Sequence, residues 1–260
     1  MIDWEKLHEA SKSFKQSPFD HCIVDGFFTD AIATALEAEC PTGDSDVWHV
    51  YDNQIEQKKI TNLWHRFGPT TYQAFHFLNS PGFRRQLSEM LGIPMLVDDP
   101  GLNGGGWHLH GPGGLLNPHL DYSLHPCLGL QRKINLIIYL NSEWDEEWGG
   151  KLGLWASDSD ADAGNLAKEV APLFNRAVIF DTTQNSWHGL ASPVTCPEGQ
   201  ARRSLAVYYL VPPLKGVNQR GKALFAPTPE QASDPKILDL IKRRADVDTS
   251  HETYRDKKKE

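Results

Sequence analysis

The rhythm of hydrophobic and polar residues changes near residue 93 and divides the chain into two predicted regions. Before that point, apolar residues recur with helical spacing over 69–78 and 81–91, and each of these segments begins with a proline. The alanine-rich segment 31–39 follows a Thr-Asp capping pair and is also predicted to be helical. We therefore predict that residues 1–92 form a mainly helical support.

Three other segments complete the N-terminal region. An amphipathic segment opens the chain and ends near Ser17. Residues 21–28 have the apolar and β-branched character of a short strand. Residues 42–62 are too polar to show either the helical or the strand spacing of apolar residues, so no structure is assigned to them.

Beyond residue 93, short β-branched and aromatic runs alternate with turns rich in Gly, Pro and Asn. Several short strands at this spacing are typical of a sandwich or barrel. The predicted strands cover residues 107–110, 134–140, 152–155, 177–180 and 205–211. A last amphipathic helix is predicted over 234–244, and the charged tail 245–260 is expected to be solvated.

These patterns predict one α+β domain that spans residues 1–260. Its parts are the helical N-terminal support, a β core over 93–213, and a C-terminal extension over 214–260 that contains one short helix.

The composition is that of a soluble globular chain, and it excludes several classes of function. The chain has 260 residues, no apolar run long enough to span a membrane, and no basic-then-apolar start of a secretory signal. Its net charge of -8 has the wrong sign for a protein that binds phosphate backbones. The 4 cysteines lie far apart, which argues against a disulfide scaffold or zinc knuckle. We expect a cytoplasmic protein that binds neither nucleic acid nor membrane. Nothing in the sequence predicts its oligomeric state.

Histidine and aspartate side chains form a candidate metal site. His119 and Asp121 lie two residues apart, so in an extended segment they point to the same face. A third ligand, His188, follows a predicted strand further along the chain. Two imidazoles and one carboxylate leave open coordination positions, as in non-haem Fe(II) oxygenases. The alternative is a local pair between His119 and Asp121, with His188 as an ordinary surface residue.

An arginine-led strand favours the metal interpretation. Arg202 opens an apolar strand, and a guanidinium inside a barrel needs an anion, because an unpaired buried charge is very costly. A dicarboxylate co-substrate supplies that anion through a bidentate bond. Ser204 shares the face of Arg202 and adds a hydroxyl. Arg203 points outward by the same alternation, and a register slip of one residue would exchange the two arginines.

Together these motifs resemble the Fe(II)- and 2-oxoglutarate-dependent dioxygenases, most closely the prolyl 4-hydroxylase-like branch. The resemblance covers about residues 95–213. It implies a double-stranded β-helix (jelly-roll, cupin-like) core buttressed by helices. It implies Fe(II), 2-oxoglutarate and O2, with ascorbate as a candidate reductant. The implied reaction hydroxylates an unactivated C–H bond and converts 2-oxoglutarate to succinate and CO2. The substrate is expected to be peptidyl proline or a small molecule.

Further residues are candidates for the pocket. His108 and His110 share one face of a strand, and His110 is a candidate contact for 2-oxoglutarate. Candidate substrate contacts are His108, Tyr122, Trp155 and Trp187. Oxygen-sensing members of the family hold 2-oxoglutarate with a tyrosine. At the apparently matching place this chain has Ile138, with Tyr139 beside it.

Two other functions use the same residues. A zinc hydrolase would bind its metal with the same two histidines and aspartate, and would need no arginine clamp. A non-catalytic jelly-roll binding module would hold no metal. Arg202 argues against the zinc hydrolase. The presence of both the metal-ligand triad and the arginine that would bind the co-substrate argues against the non-catalytic binding module.

Overall fold

Helices form where the sequence supplies a start and a stop. The fourth helix begins at Pro81 behind Ser80, whose Oγ accepts a hydrogen bond from the Phe83 amide at 3.3 Å, and ends at Gly92 in a left-handed conformation (φ 64). In the third helix, the Glu39 carboxylate accepts hydrogen bonds from the exposed first-turn amides. In the computed structural model, which describes residues 1–253, the helices are α1 (Trp4–Ser11), α2 (Asp30–Glu39), α3 (Pro69–Leu78), α4 (Pro81–Leu91) and α5 (Pro235–Ala245).

Within residues 1–253, thirteen strands form two antiparallel sheets. They are β1 (His21–Asp25), β2 (His49–Asp52), β3 (Glu56–Thr61), β4 (Gly106–His110), β5 (Leu115–Leu116), β6 (His119–Leu120), β7 (Gln131–Tyr139), β8 (Leu152–Ala156), β9 (Asn165–Val170), β10 (Arg176–Asp181), β11 (His188–Leu190), β12 (Arg202–Val211) and β13 (Leu224–Phe225). The larger sheet has the order β1-β10-β7-β12-β4-β3-β2, with β5 paired to β3. The smaller sheet has the order β13-β6-β11-β8-β9.

The N-terminal region contains more strand than its sequence predicts. Residues 42–62, which could not be assigned, contain the hairpin β2–β3 at the edge of the larger sheet. The hairpin is polar because β2 is largely exposed and one face of β3 borders a cavity rather than an apolar core. Residues 1–92 therefore contain the strands β1, β2 and β3 beside the four helices α1 to α4.

Alternation along the central strands separates the helical layer from the interior of the barrel. Leu136 and Ile138 of β7, with Leu205 and Val207 of β12, pack against the N-terminal helices in one large apolar cluster. Their neighbours in sequence point to the opposite face, between the two sheets. The helices thus cover the outside of the larger sheet and leave its inner face for a site.

The C-terminal extension packs back onto the sheets. Strand β13 pairs with β6, and α5 packs against β13. The tail 245–260 was predicted to be solvated, but in its described part Ser250 and Thr253 are buried, and Asn53 donates to the Thr253 carbonyl. Residues 254–260 lie outside the described residues. Within residues 1–253, the helices are too short or too polar to cross a bilayer.

Candidate metal and co-substrate site

A cavity of about 490 Å³ lies between the two sheets. Inward-facing residues of β3, β4, β7 and β12 line one side, and β6 and β11 line the other. The C-terminal extension contributes a further wall through Lys222, Phe225 and Arg244. The volume is within the range of typical small-molecule pockets.

Three side chains of the metal-ligand type converge in this cavity: His119, Asp121 and His188. Antiparallel pairing of β6 with β11 sets His119 directly opposite His188, and their ring centroids are 4.3 Å apart. Nε2 of His188 lies 3.8 Å from Oδ2 of Asp121. The candidate ligand atoms all lie within 4.8 Å of one another, and this is the one such group found in residues 1–253.

Backbone carbonyls orient both imidazoles. Nδ1 of His119 is 3.0 Å from the Asn117 carbonyl, and Nδ1 of His188 is 2.8 Å from the Ser186 carbonyl. A carbonyl oxygen only accepts, so each Nδ1 carries the proton and each Nε2 keeps its lone pair. Each ring is therefore held as a metal ligand, with its basic nitrogen free for an ion.

Burial keeps these histidines neutral. It lowers the pKa of His119 well below its ordinary value, and the neighbouring His188 adds to the effect. Burial also lowers the pKa of His188, although Asp121 opposes the shift. Metal ions bind the neutral imidazole, so the site is in its ligating form without having to lose protons.

The carboxylate of Asp121 is held by an arginine that sequence reasoning missed. Nη1 of Arg132 lies 3.2 Å from Oδ1 of Asp121. The guanidinium is sandwiched between the rings of Tyr122 and Tyr208, at 3.5 and 3.4 Å from their centroids. Burial alone would raise the pKa of Asp121, but Arg132 and the two imidazoles outweigh it and lower that pKa. Oδ2 of Asp121 is buried without a hydrogen-bond partner in residues 1–253.

A second cationic group, Arg202, also lines the cavity. Arg202 is buried, and its Nε donates to the Gly150 carbonyl at 2.7 Å. It forms no ion pair with a carboxylate of the described chain, and burial lowers its pKa. Arg203, in contrast, points outward, where it lies 3.8 Å from Glu37. The alternation predicted for this strand is therefore the one observed, while the role of Arg202 stays a prediction.

Tyr139, rather than Ile138, faces the interior. Its ring lies 4.7 Å from the Arg202 guanidinium carbon, and its buried hydroxyl has no hydrogen-bond partner among the described residues. Ile138 points to the helical layer. The interior-facing residue is thus Tyr139, one position after the place that the resemblance suggested.

The remaining polar candidates line the same cavity. His110 is paired in register with Arg202, and His108 with Ser204; all four side chains face inward. Burial lowers the pKa of His108 to about 3. Both ring nitrogens of His110 are buried and unpartnered within residues 1–253, so its imidazole is available to a ligand.

Of the three aromatic candidates, the structure brings only Tyr122 to the cavity. Trp155 and Trp187 do not line it. They pack with Leu120 and Ala226 on another side of the smaller sheet, where Trp187 Nε1 donates to the Ser159 carbonyl at 3.0 Å. Their role is apolar packing, the usual one for tryptophan.

Comparison with known families identifies the central region. Residues 105–210 match the family model of the 2OG-Fe(II) oxygenase superfamily. Prolyl 3-hydroxylase OGFOD1 of Mus musculus is 24% identical over 219 residues, which are 80% of this chain and 35% of that protein. The Xenopus laevis protein of the same name is 28% identical over 78 residues, or 30% of this chain and 15% of that protein. The chain thus spans about a third or less of the curated relatives it matches.

Solved structures share the fold at low identity. A Pseudomonas putida prolyl-4-hydroxylase superposes with a TM-score of 0.55 at 18% identity, covering 78% of this chain and 98% of that one. A Phytophthora capsici prolyl 4-hydroxylase gives 0.56 at 19% identity, covering 94% and 76%. A Trichoplax adhaerens prolyl hydroxylase gives 0.55 at 17%, covering 80% and 91%. The predicted α+β fold with a double-stranded β-helix core is confirmed.

Proposed function

We propose that this chain, of which residues 105–210 match the family model of the 2OG-Fe(II) oxygenase superfamily, is a 2-oxoglutarate-dependent dioxygenase that hydroxylates an unactivated C–H bond. One observation carries the proposal. A triad of metal-ligand type shares a single cavity with a buried arginine that has no carboxylate partner in residues 1–253. The triad would bind a cation, and the arginine would bind an acidic co-substrate.

The residues fit Fe(II). Two Nε2 lone pairs and the unpartnered Oδ2 of Asp121 point into one space, as a facial arrangement of two histidines and one carboxylate requires. The second carboxylate oxygen is occupied by Arg132. His119, Asp121 and His188 would therefore hold the ion, with Asp121 binding through one oxygen.

The residues also fit 2-oxoglutarate. Its distal carboxylate would pair with Arg202, and the hydroxyls of Ser204 and Tyr139 are buried close by. His110 lies next to Arg202 across the strand pair and offers a neutral imidazole. Arg202 itself is kept in place by its bond to the Gly150 carbonyl.

These contacts separate the tasks of the cofactors from those of the protein chain. Bound Fe(II) and O2 supply the oxidising power that converts 2-oxoglutarate to succinate and CO2 and inserts oxygen into the substrate. The chain orients the ligands through the Asn117 and Ser186 carbonyls, holds Asp121 ionised through Arg132, and anchors the co-substrate through Arg202. The metal-ligand triad and Arg202 are buried between the two sheets, which limits the access of bulk water to the site.

We propose peptidyl proline as the first substrate to test. The Mus musculus relative is named a prolyl 3-hydroxylase, and the Trichoplax adhaerens neighbour is described with a peptide fragment bound. A small molecule is the alternative, since the cavity is of small-molecule size. We also propose a cytoplasmic location, because Cys22, Cys40, Cys127 and Cys196 are all free thiols.

The test is succinate formation from 2-oxoglutarate by the protein supplied with Fe(II) and ascorbate. Wild type should turn over, and His119→Ala should lose both turnover and anaerobic binding of Mn(II), used as a redox-stable substitute. His76→Ala is the matched control, since His76 lies exposed on α3. Wild type that neither binds the metal nor forms succinate would contradict the proposal. Zinc-supported hydrolysis without 2-oxoglutarate would favour a hydrolase instead.

A further inference from the structure

The side chain of Arg202 rests on a short loop, residues 144–150, that leads into β8. Its Nε donates to the Gly150 carbonyl at 2.7 Å, and this bond is buried. The bond fixes the stem of the arginine, while the guanidinium carbon lies 4.7 Å from the Tyr139 ring centroid. The loop therefore contacts, through its backbone, the group that the proposed function assigns to the co-substrate.

Position 150 has no room for a side chain. Gly150 has a left-handed backbone (φ 67), a conformation that residues other than glycine rarely adopt. A Cβ at this position would lie 3.0 Å from Cδ of Arg202 and 3.0 Å from Cγ2 of Val194. Both distances are shorter than the roughly 3.5–4.0 Å of an ordinary carbon contact. Glycine therefore allows the arginine to lie directly against the loop backbone.

The loop is held on its other side by the segment that follows β11. The Trp148 carbonyl accepts a hydrogen bond from the Thr195 amide at 2.8 Å, and Gly149 forms a β-bridge with Val194. Val194 is buried in an apolar cluster against which the tryptophans of the loop pack. Because the loop is anchored in this way, a group added at Gly150 would displace the flexible arginine side chain rather than the backbone.

Strand pairing gives the direction of that displacement. Leu154 of β8 lies opposite His188 of β11, and Leu152 lies opposite Leu190. Leu152 and Leu190 line the cavity, and Gly150 comes two residues further from the metal triad along the chain. At about 3.3 Å per residue, it lies roughly 13 Å along the strand from the level of His188. An arginine pushed away from Gly150 would therefore move toward the triad.

A ligand that binds the metal at one end and the arginine at the other must match the span between them. A 2-oxo acid would contact the triad through its oxo-acid end, and its distal carboxylate would pair with Arg202. The number of carbons between the two ends sets the length of the acid. A misplacement of about 1 Å in a site of this kind can cost about two orders of magnitude in rate.

We propose that Gly150 determines the chain length of the co-substrate. It lets Arg202 stand far enough from the triad for the five-carbon 2-oxoglutarate, and so disfavours the four-carbon homologue oxaloacetate. The inference rests on the proposed oxygenase function and adds how the site selects its co-substrate. Gly150 acts through Arg202 and is therefore a positioning residue.

The test compares three acids that differ only in length: oxaloacetate, 2-oxoglutarate and 2-oxoadipate. Their binding to the Mn(II)-loaded protein is measured by anaerobic calorimetry with freshly dissolved acids, and kcat and KM for 2-oxoglutarate by succinate formation. In Gly150→Ala, the preference for 2-oxoglutarate over oxaloacetate should fall about tenfold, and 2-oxoadipate should bind more weakly than to wild type. The KM should rise more than kcat falls, since the metal ligands are unchanged.

Two further variants separate contact with Arg202 from backbone strain. Gly150→Asn should shift the preference in the same direction, and asparagine adopts the left-handed conformation more readily than alanine does. Gly92→Ala is the matched control: Gly92 has a φ of 64, but its Cβ would meet nothing within 4 Å, so the preference should stay that of wild type. Both affinities are measured on one preparation, so their ratio does not depend on its folded fraction.

Val194→Ala tests the crowding at position 150 directly. Combined with Gly150→Ala, it removes the second group that lies 3.0 Å from the added methyl group. Arg202 can then return to its place, and the preference for 2-oxoglutarate should recover toward that of wild type. Val194→Ala alone should leave the preference unchanged.

The two proposals fail in distinguishable ways. Wild type that neither binds Mn(II) nor forms succinate would sink the oxygenase function. An active wild type whose Gly150→Ala and Gly150→Asn variants keep the wild-type preference would overturn the role of Gly150 alone. An equal loss of preference in Gly92→Ala would also overturn it, because the cause would then be backbone strain rather than contact with Arg202.

Discussion

At the scale of single residues, the site depends on buried groups with unsatisfied chemistry. Among the described residues, Arg202 has a backbone partner but no carboxylate, and Asp121 has one oxygen paired and one unpaired. Native interiors rarely tolerate such groups without a ligand that completes them. These groups therefore indicate that a cation binds beside Asp121 and an anion beside Arg202.

The neighbouring arginines of β12 provide the sharpest residue-level prediction. Arg202→Ala should raise the KM for 2-oxoglutarate by at least about thirtyfold, since losing one partner of a buried charge pair costs about 2 kcal/mol or more. Arg203→Ala should change it by less than about twofold, because its contact with Glu37 is a partly exposed ion pair. Steady-state succinate assays decide this, and equal effects would show that the clamp is elsewhere.

The sequence alone predicts the site only where a strand alternates regularly between inward-facing and outward-facing residues. Alternation along β12 was sufficient to separate Arg202 from Arg203. The same reasoning missed Arg132, because the pairing of β7 with β12 shifts register between Tyr209 and Leu210, and a bulge reverses which residues face inward. Lys58 of β3, which lines the same cavity, was missed for another reason: a polar residue that faces a cavity has the same sequence pattern as one that faces solvent.

At the scale of secondary-structure elements, three-residue β11 carries the second histidine ligand. It is too short for periodicity to predict. Its position depends on Gly189: a Cβ there would lie 2.6 Å from the Leu116 carbonyl and 2.7 Å from that of Asn117. The Asn117 carbonyl also orients His119. One glycine therefore lets both histidine-bearing segments approach each other.

Gly189→Ala should weaken metal binding roughly tenfold or more, since an added methyl group displaces β11 and disturbs the carbonyl that orients His119. Anaerobic calorimetry with Mn(II) measures the effect. Gly82→Ala is the control: its Cβ meets nothing within 4 Å on α4, so metal affinity should be unchanged. Wild-type affinity in the Gly189 variant would show that the strands adapt.

At the scale of the whole molecule, the C-terminal extension is fastened to the N-terminal hairpin. Arg244 of α5 and Glu56 of β3 are both buried and joined at 2.6 Å, although 188 residues separate them. The spacing of apolar residues predicted helix α5 correctly. It could not predict the contact between Arg244 and Glu56, because neither segment of the sequence indicates which distant segment it packs against. The extension thus belongs to the cavity wall rather than to a separate appendage.

Arg244→Ala should lower the free energy of unfolding by about 3 kcal/mol or more, because it leaves the Glu56 carboxylate buried without its closest cation. Chemical denaturation measures the loss. The adjacent Arg243→Ala should cost less than about 1 kcal/mol, since its pair with Asp239 is exposed on α5. Similar losses in both variants would mean that the buried pair of Arg244 and Glu56 stabilises the fold no more than the exposed pair of Arg243 and Asp239 does.

The direct opposition of His119 and His188 across β6 and β11 also has a consequence for the order of folding. The two residues are 69 positions apart in the chain, and their strands are joined at this one pair. Closing such a long loop is slow compared with forming local turns and helices. We expect the chain to bind its metal ion only after β6 and β11 have paired in the smaller sheet. The rate of metal uptake during refolding would therefore report the rate at which these strands pair.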